Sequence, residues 1–115
     1  MDKEIKVLLF DILIAVNEIE SFLSDRPKEF ENYKNDLRTK RAVERNFEII
    51  GEATTRLLKL DNTINISNPK KIVTLRNRII HGYDTVSDEV MWGIIIKHLP
   101  VLKTEVEILL NQENN

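Results

Sequence analysis

The sequence predicts an all-α protein: an antiparallel four-helix bundle with a short third helix and a kinked last helix. Three observations carry this expectation. Apolar residues recur at steps of three and four along most of the chain, the spacing that lines up one face of a helix. Only three glycines and three prolines occur in 115 residues, too few turn formers for a protein of many short strands. The polar stretches between the periodic runs are short, and short connections join antiparallel neighbours. A chain of this length supports a single hydrophobic core, so residues 1–115 are expected to form one domain.

The first helix has the clearest pattern. Ile5, Leu8, Leu9, Ile12, Ala15, Val16, Ile19, Phe22 and Leu23 lie on one face. Ser24-Asp25-Arg26-Pro27 ends it, because proline biases the residue before it away from helical angles. A short connection through Phe30 and Tyr33 leads to the second helix, which Asn35 or Asp36 can cap. That helix carries Leu37, Val43, Phe47, Ile50, Leu57 and Leu58 toward the core, with Gly51 in its middle. A glycine inside a helix costs about 1 kcal/mol relative to alanine, so Gly51 predicts the close approach of a neighbouring helix.

Asp61 to Ser67 form a polar loop, and Asn68-Pro69 supplies a cap followed by proline at the first helical position. The third helix is short, with Ile72, Leu75 and Ile79 on its apolar stripe and Gly82 placed as the left-handed residue beyond its end. Thr85 and Ser87 can each cap the fourth helix, whose first turn carries Asp88 and Glu89. Apolar residues from Val90 to Leu110 continue it, and Pro100 within that run predicts a kink. Trp92 reads as a core or interface residue, His98 as a partly exposed structural one. Residues 111–115 are expected to fray.

Composition narrows the function classes. The first helix is interrupted by charges at helical spacing, which excludes a signal peptide or a membrane span. The absence of cysteine removes disulfides, thiolate metal sites and cysteine nucleophiles, in keeping with a reducing cytoplasm. No metal site is evident in the sequence, and no cofactor is called for. The net charge of -2 lacks the global basic signature of many nucleic-acid binders. Its distribution says more. Both ends are acidic, whereas Lys34, Arg38, Lys40, Arg41 and Arg45 outnumber Asp36 and Glu44, and Lys70, Lys71, Arg76 and Arg78 meet no acid between Pro69 and Tyr83. A polyanion would find its attraction in the middle of the chain.

The densest chemistry is Arg76-Asn77-Arg78-Ile79-Ile80-His81-Gly82-Tyr83. Arginine can grip a phosphate through paired hydrogen bonds, and histidine moves protons near neutrality. Asn77 and His81 are four residues apart, so on a helix they share a face and the amide can orient the imidazole. Arg76 lies roughly 140° around the helix from His81. Only its long side chain, a distorted helix or a second chain can bring the two together. A twofold dimer apposing the third helices would supply two of each at one interface. Cleaving RNA without a metal requires a base for the ribose 2′-hydroxyl, an acid for the leaving oxygen and a cation for the phosphorane, which these residue types can provide. The bland alternative is a helical scaffold on which Arg76 merely forms an ion pair.

Arginine, four residues, histidine, one residue and tyrosine, with Asn77 directly after the arginine, resembles the signature of the HEPN superfamily, specifically the HepT-like toxins of prokaryotic toxin–antitoxin pairs. Arg41 to Ala53, with its Ile50-Gly51-Glu52-Ala53 stretch, and His98-Leu99-Pro100 extend the likeness over most of the chain. The resemblance implies a metal-independent endoribonuclease working as a homodimer, with Arg76, His81 and Asn77 in a shared catalytic cleft. It also implies a partner, a nucleotidyltransferase antitoxin of the MntA type, which transfers AMP to the tyrosine matching Tyr83 and so blocks the cleft. Arg78, Lys70, Lys71, Arg41 and Arg45 are candidates for its RNA-binding walls. A second class stays open at this point: a non-catalytic HEPN-type module that binds a nucleotide or docks the partner.

Overall fold

The computed structural model describes residues 2–82 and 86–113 and is helical throughout its regular structure. Helix α1, Lys3–Leu23, begins where the Asp2 carboxylate accepts hydrogen bonds from the backbone N–H groups of Glu4 and Ile5, at 2.7 and 3.4 Å. Its predicted stripe is the centre of the core, with Leu9, Ile12, Val16 and Ile19 fully buried. Helix α3, Leu37–Leu60, lies along it and adds Val43, Phe47, Ile50, Ala53 and Leu57. Asp36 caps α3, accepting from the Thr39 N–H at 3.1 Å and hydroxyl at 2.7 Å, while Arg26 donates at 2.6 Å to the oxygen that the hydroxyl shares. Those hydrogen bonds, Thr39's first, hold the Asp36 carboxyl below its ordinary pKa.

Three local expectations are corrected. The connection through Phe30 and Tyr33 is itself a helical turn, α2, Phe30–Lys34. It buries Tyr33, whose ring packs on Trp92 at 5.5 Å between centroids, with Phe30 at 6.4 Å on the same indole. The aromatic packing stabilises an order that backbone propensity over five residues does not. Leu37, assigned to the core, is 60% exposed, because at about 100° per residue it lies roughly 120° around α3 from Val43 and so off the buried stripe. Asn68 does not cap α4, Pro69–His81, with its side chain; it adopts a left-handed conformation at φ 51° and turns the chain instead. Gly82, at φ 65°, is the left-handed residue expected at the other end.

The last helix starts at α5, Asp88–Gly93, where the Ser87 hydroxyl accepts from the Val90 N–H at 3.2 Å. The anticipated kink takes the form of a π-turn over Ile94–His98, in which the Leu99 N–H reaches back to the Ile94 carbonyl. Helix α6, Leu99–Glu113, follows without a break. Pro100 lacks an N–H and crowds the carbonyl four residues before it, and the wider turn relieves both conflicts before α6 resumes. Residues 111–113 continue α6, and 114–115 lie outside the described residues.

Ion pairs tie the last helical segments to α1 and α3: Lys103 of α6 to Glu20 at 2.9 Å and Asp88 of α5 to Lys40 at 3.3 Å. Helix α4 is held differently. Among the described helices its close backbone approach is to α3, and Leu75 is its only buried residue. One flank of α4 therefore opens toward α1 and the other toward the π-turn. Among the described residues no helix is long and apolar enough to cross a membrane.

Candidate functional site

The position of Arg76 follows from a missing methyl group on α3. A Cβ built on Gly51 would lie 2.7 Å from Cγ and 3.1 Å from Cδ of Arg76, and closer still to its Cβ. Gly51 is thus the opening through which the arginine stem crosses α3, the close approach that its place in the helix predicted. Beyond it the guanidinium meets Glu52: Nη2 donates to Oε2 at 2.9 Å. Arg56 donates its Nε to the other carboxylate oxygen at 3.2 Å. Glu52 therefore stands between two guanidinium groups, one of them from its own helix at the i,i+4 spacing.

The Arg76 side chain is largely buried, and its Nε has no partner among the described residues. Its Nη1 donates to the Asn77 side-chain oxygen at 3.2 Å. Two of five guanidinium donors are thus committed, which orients the group and leaves donors for an incoming anion. The surroundings form a cleft of about 360 Å³ between α1, α3 and α4, with Leu8, Ile49 and Ile80 on its apolar sides and Arg45 and Arg56 among its charged ones.

The remaining candidates separate onto distinct surfaces. Asn77 and His81 share the outward face of α4 as expected, in an exposed stripe with Lys70 and Thr74. The Asn77 side-chain oxygen accepts from Arg76. His81 is the last residue of α4 and does not line the cleft that holds Arg76, so the angular separation read from the sequence persists in the fold. Arg45 joins Arg76 in the cleft; Arg41 is exposed and paired with Glu44 at 3.0 and 3.2 Å. Lys71 faces the opposite flank of α4, Arg78 is half-buried, and Tyr83 and Thr85 lie outside the described residues. Lys70 and Lys71 stand in the first turn of α4, which has no acid. The helix dipole disfavours cations there, so the two lysines weaken the helix and strengthen the local attraction for an anion.

Sequence reasoning missed Glu52 and Arg56. The signal was present in their i,i+4 spacing and in the glycine beside Glu52, but nothing in one dimension says that Arg76 arrives at that point.

Comparison with known proteins gives a consistent result. Residues 12–109 match the family model described as Ribonuclease HepT-like. The chain is 34% identical over 109 residues to the protein named Putative RNase MJ1380 of Methanocaldococcus jannaschii, covering 93% of this chain and 97% of that protein. It is 36% identical over 95 residues to Putative RNase TTE0752 of Caldanaerobacter subterraneus, covering 80% and 85%. To Probable ribonuclease HepT of Thermococcus cleftensis it is 33% identical over 110 residues, covering 95% and 98%. No solved structure gives a significant match.

Proposed function

Because the chain belongs to the HepT-like ribonuclease family, we propose that it is a metal-independent endoribonuclease toxin whose active site is completed across a homodimer. The observation that carries this reading is the clamped Arg76, oriented by Glu52 and Asn77 beside a polar stripe that ends in His81. A guanidinium so held suits a phosphorane, whose charge develops only in the transition state, and its reorganisation cost is met on folding. His81 takes the proton of a ribose 2′-hydroxyl, whose oxygen attacks the adjacent phosphorus. The bond to the 5′-oxygen breaks, and that oxygen receives a proton from a second acid. The products are a 2′,3′-cyclic phosphate and a 5′-hydroxyl. Since Arg76 and His81 occupy different surfaces of one chain, a partner copy apposing α4 supplies the missing group.

The same reading gives Tyr83 its role. AMP transferred there by a nucleotidyltransferase antitoxin of the MntA type adds a bulky anion next to His81 in the sequence, competing with RNA for the arginines. Both proteins would act in the cytoplasm. The decisive test is cleavage of an unstructured RNA by the purified protein in the presence of a chelator. Cleavage is expected, and His81→Ala or a 2′-deoxy substitution at the cut site should abolish it; persistence in either case sinks the mechanism. Light scattering at assay concentration should report a dimer, and an active monomer would contradict the shared site. After co-expression with the nucleotidyltransferase, mass spectrometry should find AMP on Tyr83, and modification elsewhere would refute the switch.

A further inference from the structure

The second flank of α4 holds a cavity that the proposed chemistry does not use. About 450 Å³ lies between α4 and the segment running from the π-turn into α6, floored by Ile72, Leu75, Ile94, Val101 and Leu102. Its rim carries two cations, Lys71 from α4 and Lys97 from the π-turn, with the His98 side chain beside them, all exposed. Neither lysine forms an ion pair among the described residues. The carboxylate on the rim, Glu105, is committed to Ser67, accepting its N–H at 3.1 Å and its hydroxyl at 2.8 Å. Ile94, Lys97 and His98, at the i, i+3 and i+4 positions of the π-turn, all line the cavity, and such turns recur at functional sites.

An apolar floor under a cationic rim has a definite complement, a flat apolar ring attached to a phosphate. Single-stranded RNA presents that unit whenever a base leaves its stack. We propose that this groove is a substrate subsite, taking one unstacked base of the RNA on its floor while Lys71 and Lys97 bind the flanking phosphate. Continuity favours RNA as the occupant. Lys71 and Arg76 lie on opposite flanks of the same helix, about 7.5 Å apart along its axis. Between them runs the exposed stripe of Lys70, Thr74 and Asn77. A strand cleaved at Arg76 and His81 would cross that stripe to enter the groove. The proposal rests on the ribonuclease reading for the identity of the strand, and it makes unpaired RNA the substrate class.

The test separates the two claims. Binding is measured by fluorescence anisotropy with a labelled, unstructured RNA and with a series in which single bases are replaced by abasic sites, using the His81→Ala protein so that the RNA survives. Removal of one particular base should weaken binding about tenfold. Val101→Trp fills the groove from a residue that is already 49% exposed, so its thermal melt should match that of the parent. It should weaken binding of the intact RNA by a similar factor and abolish the response to that one base. Lys97→Glu should weaken both intact and abasic RNA. Indifference of the parent to base removal at every position, or unaltered RNA binding by Val101→Trp, overturns the subsite. If base-dependent binding is present but the protein with His81 intact cleaves nothing, the catalytic reading fails and the subsite stands.

Discussion

Substituting Gly51 by alanine tests the geometry on which the arginine depends. Two terms oppose each other. Alanine is the better helix former by about 1 kcal/mol, so on an isolated helix the change would stabilise. Here the new methyl meets the Arg76 stem, with Cγ at 2.7 Å and Cδ at 3.1 Å and Cβ nearer than either. Cβ is fixed to the backbone of α4 and cannot swing aside as the tip of a flexible chain would. To restore ordinary contact α4 must move off α3 by about 1 Å. Overpacking of this kind costs typically ~1–3 kcal/mol, which outweighs the propensity gain by about 1 kcal/mol. For a domain of this size the melting temperature should fall by about 4 °C. The larger effect falls on chemistry, because α4 carries Arg76 and His81 together and a displacement of about 1 Å can cost ~100-fold in rate. Thermal melting and kcat/KM on an unstructured RNA are the two measurements. A Gly51→Ala protein that melts higher than the parent and cleaves within threefold of it would refute the claim that Gly51 is kept for Arg76.

Glu52→Gln should lower kcat by about tenfold with a smaller change in KM, since it loosens the orientation of Arg76; the half-exposed ion pair is worth under ~1 kcal/mol, so a fall in stability larger than the fall in rate would make Glu52 a structural residue only. Burial raises the Tyr33 phenol well above its ordinary value, with the Asp88 and Glu44 charges adding to the effect. The unfolded chain therefore ionises Tyr33 first, and stability should fall as pH rises above about 10, by up to ~1.4 kcal/mol per pH unit. Tyr33→Phe should remove that part of the alkaline slope in pH-dependent melts. At the acid end the lowered Asp36 pKa works in the opposite sense: its contribution is present above the ordinary carboxylate value and is lost as pH falls through the depressed one. Asp36→Asn should flatten acid unfolding in that window. Leu37→Glu should shift stability by no more than ~0.5 kcal/mol, as befits an exposed residue; a core-sized loss would contradict its assigned surroundings.

Much of the fold was legible because its helices announce themselves locally. The stripe of α1 is buried as its spacing predicts, Asp36 and Ser87 cap as their side-chain oxygens allow, and Gly82 takes the left-handed angles that follow a helix. What was illegible depended on neighbours. The order of α2 is held by Trp92, distant in sequence, whereas Leu37 is apolar but stands off the buried stripe of α3. Asn68 has the chemistry of a cap but spends its conformation on a turn. Pro100 announced an irregularity without saying that a wider turn before it would absorb the strain.

The candidate site divides in the same way. Residue types and helical angles alone put Arg76 and His81 on different faces of one short helix and marked a motif that lies within the stretch the family model matches. Those are properties of a periodic backbone and need no third dimension. Only the tertiary structure makes Glu52 the anchor of Arg76, turns Gly51 from a helix defect into a passage for its stem, and opens a groove on the far flank of α4. Each of these depends on where α4 crosses α3, and that crossing is set by side chains meeting across a sequence gap that no local pattern encodes.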